Sequence, residues 1–396
     1  MSTVPARPSA PTIRDWSWRS RAVRGLVYQI IAVAVLIAVG WTLVANTRAN
    51  MDARGIQSGF DFLTSPAGFD IGEKLIPYEP ENSYWRAFLV GLSNTLRVAL
   101  VGIVLTTFLG VTIGVGRLSQ NWVIRKLCLC YVELFRNVPL LVQLFLWYFA
   151  LTELLPSVDQ AINPLPDVYL NQAGLQYPIP VWAFGHFTAL IGLVVGIVAS
   201  IAWRRAATKH REKTGEQRPV TWVVVALLIV TTLLGWAFGG APTAMEYPEV
   251  GTFNVSGGGA VTPEFLTIVI GLSIYTASFV AEIVRGGIQS VSIGQTEASS
   301  ALGLTRARAL RLVVLPQAMR VIIPPMTNQY LNLTKNSSLA VAVGYPDLVS
   351  ISNTSLNQTG RAVECIAIVM AVYLFLSLTT AWIMNLYNRK VAIKER

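Results

Sequence analysis

Lys335 lies in a hydrophobic stretch of this 396-residue chain, with Asn328, Gln329, Asn332 and Asn336 around it on the same segment. An ammonium and amides are expensive in hydrocarbon unless they face protein or water, so such groups mark a solute pathway by default. On a helix rising about 1.5 Å per residue from near Val321, Lys335 sits roughly 20 Å deep, at or just beyond the middle of a bilayer. The polar face so formed suits the carboxylate of a zwitterionic solute. A structural alternative stands beside it, in which Lys335 pairs with a buried carboxylate such as Glu282 and only orients helices. Glu282 and Arg285, one turn apart, can also satisfy each other.

Catalytic chemistry is absent from the pattern. No Gly-x4-Gly-Lys-Ser/Thr phosphate loop occurs, so the chain is not expected to hydrolyse ATP itself. The two histidines, His186 and His210, lack metal-ligand spacing; the first reads as an interhelical hydrogen-bonding group and the second as a solvated loop residue. Cys128, Cys130 and Cys365 fall in or beside hydrophobic segments and read as small apolar residues, with neither a disulfide framework nor a metal site. No nucleophile, acid-base pair or cofactor motif emerges, and an enzyme in its own right is not expected.

A second constellation lies at 294–318, GQTEASSALGLTRARALRLVVLPQA. Gln295 to Leu302 are good helix formers, and Gly303 is the residue expected at a left-handed cap. A further helix is expected to start at Thr305, whose hydroxyl caps it, and to stop at Pro316. Leu310, Val313 and Val314 would pack, leaving Arg306, Arg308 and Arg311 to water and lipid phosphate. Such a rigid helix-Gly-helix hook can transmit force to a soluble partner. A plain basic loop explains the arginines alone, but not Glu297, Ala298, Ser299, Gly303, Leu315 and Pro316 at this spacing.

These residues need membrane helices to hold them. The chain is 53% hydrophobic and 13% charged, with a mean hydropathy of +0.52, which excludes a soluble globule. The net charge of +10 is concentrated in a few loops, so it reports orientation and not nucleic-acid binding. Eight spans are predicted near 25–46, 95–116, 137–155, 183–203, 219–240, 265–284, 321–345 and 365–388. The sixth is short between Glu264 and Glu282, and the seventh, interrupted by Pro324, Pro325 and Lys335, is expected to be a broken helix facing protein. The first reads as a permanent anchor. Arg14, Arg19, Arg21 and Arg24 precede it and put the N-terminus in the cytoplasm. The loops expected outside, 156–182 and 241–263, contain no Lys or Arg, whereas Arg117, Arg125, Lys126 and Arg136, and then Arg204, Arg205, Lys209, Arg211, Lys213 and Arg218, fall inside. Both termini are therefore expected in the cytoplasm. Gly110 with Gly114, and Gly192 with Gly196, read as helix-packing faces.

The hook resembles the EAA loop of ABC importer permeases. YVELFRNVPLLVQL at 131–144, with Arg136, Pro139 and Gln143, resembles a helix-opening signature of polar amino-acid permeases, with Asn137 and Val138 replacing its Gly-Thr pair. LTKNSSL at 333–339 resembles a later signature, with Asn336 for Asp and Ser337 for Thr, and YTASFVAEIVRGGIQSV at 275–291 adds to the likeness. Together they resemble the general L-amino-acid permeases of the histidine/glutamate/aspartate importer class. That resemblance implies an all-helical type I ABC importer permease with a five-helix core, supplied by 95–155 and 264–390. Around it would lie a basic N-terminus (1–24), an added helix (25–46), a periplasmic segment (47–94), an insertion with two spans (156–263) and a cytoplasmic tail (391–396), with the coupling loop at 293–318. It also implies a bacterial inner-membrane location, a second permease subunit in a heterodimer, two ATPase subunits that bind the ATP, and a periplasmic amino-acid-binding protein. The alternative is an ion-coupled secondary amino-acid transporter, which needs broken helices and a midplane polar site but no cytoplasmic hook.

Overall fold

The computed structural model describes residues 21–53, 55, 58–251 and 255–391. Most of the basic N-terminus and the tail after Val391 therefore lie outside the described residues. Seven of the described helices are long and apolar enough to cross a membrane, and one bent pair brings the number to eight.

In chain order the first helices are α1 (Arg21–Ala53), α2 (Tyr84–Gly116), α3 (Trp122–Asn137) and α4 (Leu140–Glu153). α2 begins eleven residues before the predicted span, because a folded segment at 58–83 covers its first turns: Tyr84, Ala87 and Phe88 are buried against Phe62, Ile71 and Tyr78. The predicted third span is corrected to a pair, α3 and α4, bent by 106°. The reason is Pro139, which forces Val138 into an extended conformation (φ −96°, ψ 129°) and ends α3. α3 itself, expected as a basic loop, is an amphipathic helix whose Val132 is fully buried and whose Tyr131 hydroxyl donates to the Ile274 carbonyl at 2.7 Å.

The insertion carries strands that the periodicity did not announce. A four-stranded antiparallel sheet orders β1 (Ile162–Leu165), β2 (Val168–Asn171), β3 (Gly174–Tyr177) and, from the far side of the insertion, β8 (Gly259–Val261). Two ribbons join β4 (Ile179–Pro180) to β5 (Met245–Glu246) and β6 (Glu249–Val250) to β7 (Val255–Ser256). Between them run α5 (Phe184–Thr214) and α6 (Thr221–Phe238). They pack on each other where a Cβ at Gly192 would stand 2.2 Å from the Thr231 carbonyl oxygen. Among the described residues His186 makes no interhelical bond: its Nδ1 accepts from Ala183 N at 3.1 Å and its ring stacks on Trp182, so it caps its own helix. His210 Nε2 lies 3.8 Å from a Glu216 carboxylate oxygen, near the end of α5.

The core is organised around α7 (Pro263–Gln289). Two-thirds (67%) of its most apolar window is buried, against none of α1's. Thr262 caps it, accepting from Phe265 N at 3.2 Å, and Pro263 supplies its first turn without wasting a donor. Val280, Ala281 and Val284 fill the face on which Gly110 and Gly114 of α2 lie, and a Cβ at Gly110 would come within 2.5 Å of Val280 Cγ1. α7 passes beyond Glu264 and Glu282, so the short predicted span is really 27 residues long. Glu282 is shared by Arg285 and Arg117, which makes its long extension affordable in charge. The three cysteines are free.

Beyond α7 come α8 (Ile293–Ala301), α9 (Arg306–Ala309), a π turn (Leu310–Val314), α10 (Leu315–Asn336), a 3-10 turn (Ser337–Val343), α11 (Leu348–Thr359) and α12 (Ala362–Val391). α11 was not anticipated, since its sequence LVSISNTSLNQT has no long apolar run.

Candidate coupling hook and polar helix face

The hook's turn is built by Gly303. Its φ is +74°, and around it Gly303 N donates to Ser300 O at 2.9 Å while Leu304 N donates to Ser299 O at 3.1 Å. Those two bonds satisfy the last carbonyls of α8 in a Schellman motif. Ser299 is 2% exposed and its hydroxyl donates to Thr296 O, whereas Glu297 and Ala298 face outward. Gln317 Nε2 ties the two arms, donating to Gln295 Oε1 at 3.2 Å and to Val313 O at 3.1 Å.

Three expectations about the second arm are corrected. Thr305 occupies the N-cap position, but its side chain makes no capping bond; Ala309 N is satisfied by the Thr305 carbonyl at 2.8 Å. Pro316 does not end the helix. It lacks the N–H that the Leu312 carbonyl would take in an α-helix, and the π turn at Leu310–Val314 widens the ladder so that the chain continues into α10. Leu310 is 48% exposed and does not pack, leaving Val314 as the buried residue of that turn. Ile293, Leu302, Leu312 and Leu315 are also exposed, beside Arg306, Arg308 and Arg311. The hook thus exposes both apolar side chains and arginines, with Glu297 on its first arm.

α10 runs unbroken through Pro324 and Pro325 and changes only after Asn336, where it tightens into the 3-10 turn. This corrects the broken-helix expectation. Ile322, Ile323, Met326, Leu333 and Thr334 face the protein, while Val321, Pro324, Asn328, Asn332 and Lys335 line one exposed stripe; Gln329 and Asn336 are half-buried at its edge. The intervals of three and four residues keep Asn328, Asn332 and Lys335 on one face. Their side chains make no hydrogen bond or ion pair among the described residues. The Lys335–Glu282 pairing is not formed, because both Glu282 oxygens are taken by Arg285 and Arg117. Seven 3-10 residues, Ser337–Val343, follow Asn336 and put about 14 Å of backbone between Lys335 and Gly344, at roughly 2 Å each. The same helix holds Arg320, whose Nε and Nη2 are buried and without a hydrogen bond among the described residues; sequence reasoning passed over it, although an arginine inside a span is itself a signal.

The signature at 131–144 has a structural meaning. Gln143, 3% exposed, donates to the carbonyls of Phe135 at 2.9 Å and Val138 at 2.8 Å, so it closes the last turn of α3 across the bend. Pro139 opens α4, and the Arg136 guanidinium stands over the Phe279 ring at 5.3 Å. A buried network at the opposite end from the hook was missed. Glu73 pairs with Arg97, which also lies 4.0 Å over the Phe265 ring, and Asn94 Nδ2 donates to the carbonyls of Glu73 at 2.8 Å and Pro346 at 2.9 Å. These bonds tie the segment at 58–83 and the start of α11 to α2. Asp347 caps α11, accepting from Ser350 N at 2.8 Å; it is fully buried, and burial raises its carboxyl to about 7.

A family model described as binding-protein-dependent transport system inner membrane component matches residues 219–393. The general L-amino acid transport system permease protein AapQ of Rhizobium johnstonii is 46% identical over 385 residues, 96% of each chain. The putative amino-acid ABC transporter permease protein YhdX of Escherichia coli is 46% identical over 96% of this chain and 97% of its own. BztB of Rhodobacter capsulatus, a glutamate/glutamine/aspartate/asparagine transport system permease protein, is 39% identical over 94% of this chain and 95% of its own. The chain belongs to this family of ABC-importer permease subunits. As such the permease is a translocation component of the bacterial inner membrane, and nothing favours the ion-coupled secondary transporter.

Proposed function

We propose that this permease subunit carries L-amino acids inward from the periplasm as half of a pair with a second, related permease subunit. ATP is bound and hydrolysed by two partner ATPases, a periplasmic binding protein delivers the solute, and this chain holds no cofactor or ATPase site of its own. The observation that carries the reading is the exposed stripe of Asn328, Asn332 and Lys335 at bilayer depth. An uncompensated ammonium in lipid costs about 2.5–3.5 kcal/mol or more, so the stripe calls for a polar cover: a partner subunit and the aqueous path between the two. Glu297, Ala298, Ser299, Gly303, Leu315 and Pro316 then act as the lever. The exposed apolar side chains and arginines of the hook receive the ATPase, and ATPase closure moves α10 and its stripe.

In this reading both termini are cytoplasmic, supported by the basic loops on the hook side and the loops free of Lys and Arg on the other. Cysteines placed in 156–182 should react from outside in sealed cells, and cysteines in 206–217 should not; reaction of the latter would reverse the orientation. The pathway is tested in the assembled complex after replacement of the three native cysteines. Asn328→Cys and Asn332→Cys should react with a charged, water-soluble thiol reagent in a manner that changes with ATP. Leu374→Cys, on an exposed apolar face of α12, should stay unreactive. Equal silence at all three positions would remove the stripe from the pathway. Uptake by reconstituted vesicles that follows an ion gradient and ignores ATP would overturn the proposal.

A further inference from the structure

α1 touches the rest of the molecule at its C-terminal end, where it meets the start of α12. A groove of about 470 Å³ opens there, a volume in the range of small-ligand sites. Its walls are apolar, with Leu43 and Val44 on α1 and Val363 and Ala367 on α12, and two charged residues stand among them, Arg48 and Glu364. Leu43, Val44, Thr47, Arg48 and Met51 recur at the spacing that keeps one helical face. α1 enters the segment at 58–83 and α12 leaves from the same end, so the two charges share one membrane level, a turn or two inside the helix ends.

Glu364 is the informative residue. It is 5% exposed; its Oε1 accepts from Gly59 N at 2.6 Å, but its Oε2 is buried and makes no hydrogen bond among the described residues. The neighbouring guanidinium of Arg361 is directed to Asp61 at 3.1 Å. Arg48 is exposed and makes no ion pair among the described residues. A buried carboxylate oxygen without a donor is costly, and a lone arginine at the edge of hydrocarbon needs an anion. The missing partner must therefore carry an N–H-bearing cation for Glu364, an anion for Arg48, and hydrocarbon for the walls.

We infer that the groove between α1 and α12 binds a zwitterionic phospholipid with a primary ammonium head group. Its phosphate meets Arg48, its ammonium donates to Glu364 Oε2, and its acyl chain lies along Leu43, Val44 and Ala367. A free amino acid satisfies the two charges but leaves the apolar walls bare, and an anionic glycerol head group offers Glu364 only neutral hydroxyl donors and no cation. The bound lipid fixes α1, whose spanning residues are otherwise uncovered, to the body of the permease.

The test uses the complete transporter, purified in mild detergent from membranes containing phosphatidylethanolamine and phosphatidylglycerol, with the retained lipids counted by native mass spectrometry. The wild type should retain phosphatidylethanolamine in preference. Glu364→Gln keeps an acceptor for Gly59 N–H but loses the charge and should lower the preference about tenfold, the worth of one charge-assisted hydrogen bond, while Arg48→Gln loses the phosphate contact common to both lipids and should lower the retention of both about tenfold. Arg48→Lys should keep both lipids. Ala367→Trp, at an exposed position, should expel lipid of either kind while the subunits still copurify. Equal retention of the two lipids by the wild type, unchanged proportions in Glu364→Gln, or undiminished lipid in Ala367→Trp would each overturn the assignment. Displacement of the lipid by free amino acid at matching stoichiometry would do the same and make the groove a solute site.

Discussion

Gly303 offers the sharpest test of the coupling assignment, because its environment separates backbone from packing. A Cβ built on it meets no atom within 4 Å, so a Cβ itself brings no clash with neighbours. The penalty comes from φ at +74° alone. For alanine the left-handed conformation costs about 1–2 kcal/mol, and a β-branched residue pays more; asparagine visits that region with much less strain. A cost of that size shifts the hook between its capped and uncapped forms by roughly 5–30-fold. The expected order of coupled transport is glycine, then Gly303→Asn, then Gly303→Ala, with Gly303→Val lowest. The measurement is substrate-stimulated ATPase activity of the reconstituted complex beside ATP-driven uptake in the same vesicles. Val should retain membrane insertion while uptake falls relative to ATP consumed, or while the ATPase is lost from the complex. Full uptake by Gly303→Val, or a ranking set by side-chain volume in place of left-handed tolerance, would refute the reasoning.

Lys335→Met keeps much of the length and removes the charge, so uptake should fall about tenfold while the subunits still copurify; unchanged rate and affinity would take Lys335 out of the pathway. Gln143→Leu leaves the Phe135 and Val138 carbonyls without their donor, at a cost of about 1–3 kcal/mol each, and should lower the thermal midpoint of the purified complex by several degrees; an unaltered midpoint would show that the bend holds itself. Asp347 bears on pH. Its carboxyl is raised from 3.8 to about 7, so the native state favours the protonated form, with full stability below the lower value and progressive loss as pH rises through the upper. The loss amounts to roughly 4 kcal/mol at most. Asp347→Asn keeps the cap on Ser350 N and should flatten the stability difference between about pH 5 and pH 8; a wild type as stable at the higher pH would contradict the assignment.

The spans, the hook and its glycine were legible because each rests on local information: an apolar run about 20 residues long, or one residue type tolerant of positive φ. What stayed hidden depends on distant partners or on local compromise. Glu73 meets Arg97 only after the segment at 58–83 folds over α2, and β8 completes its sheet across two intervening spans. Strands of two to four residues leave no periodicity to read. Pro139 and Pro316 carry the same signal in sequence but opposite outcomes. At Pro139 the preceding valine turns extended and the helix breaks by 106°. At Pro316 the ladder loosens by one residue and the helix survives.

That loosened turn has a consequence for helical phase. A π turn holds one residue more than an α turn, and each residue advances an α-helix by about 100°. The turn at Leu310–Val314 absorbs its extra residue, so α10 presents Asn328, Asn332 and Lys335 in the phase that a regular ladder one residue shorter would give. Removing one residue within that turn would restore a regular ladder and leave the stripe close to its present direction, whereas removing one from a regular turn of α10 before Asn328 would swing the stripe by about a quarter turn. The hook and the stripe are two ends of one dial, and the count of regular helical residues between them is its zero mark.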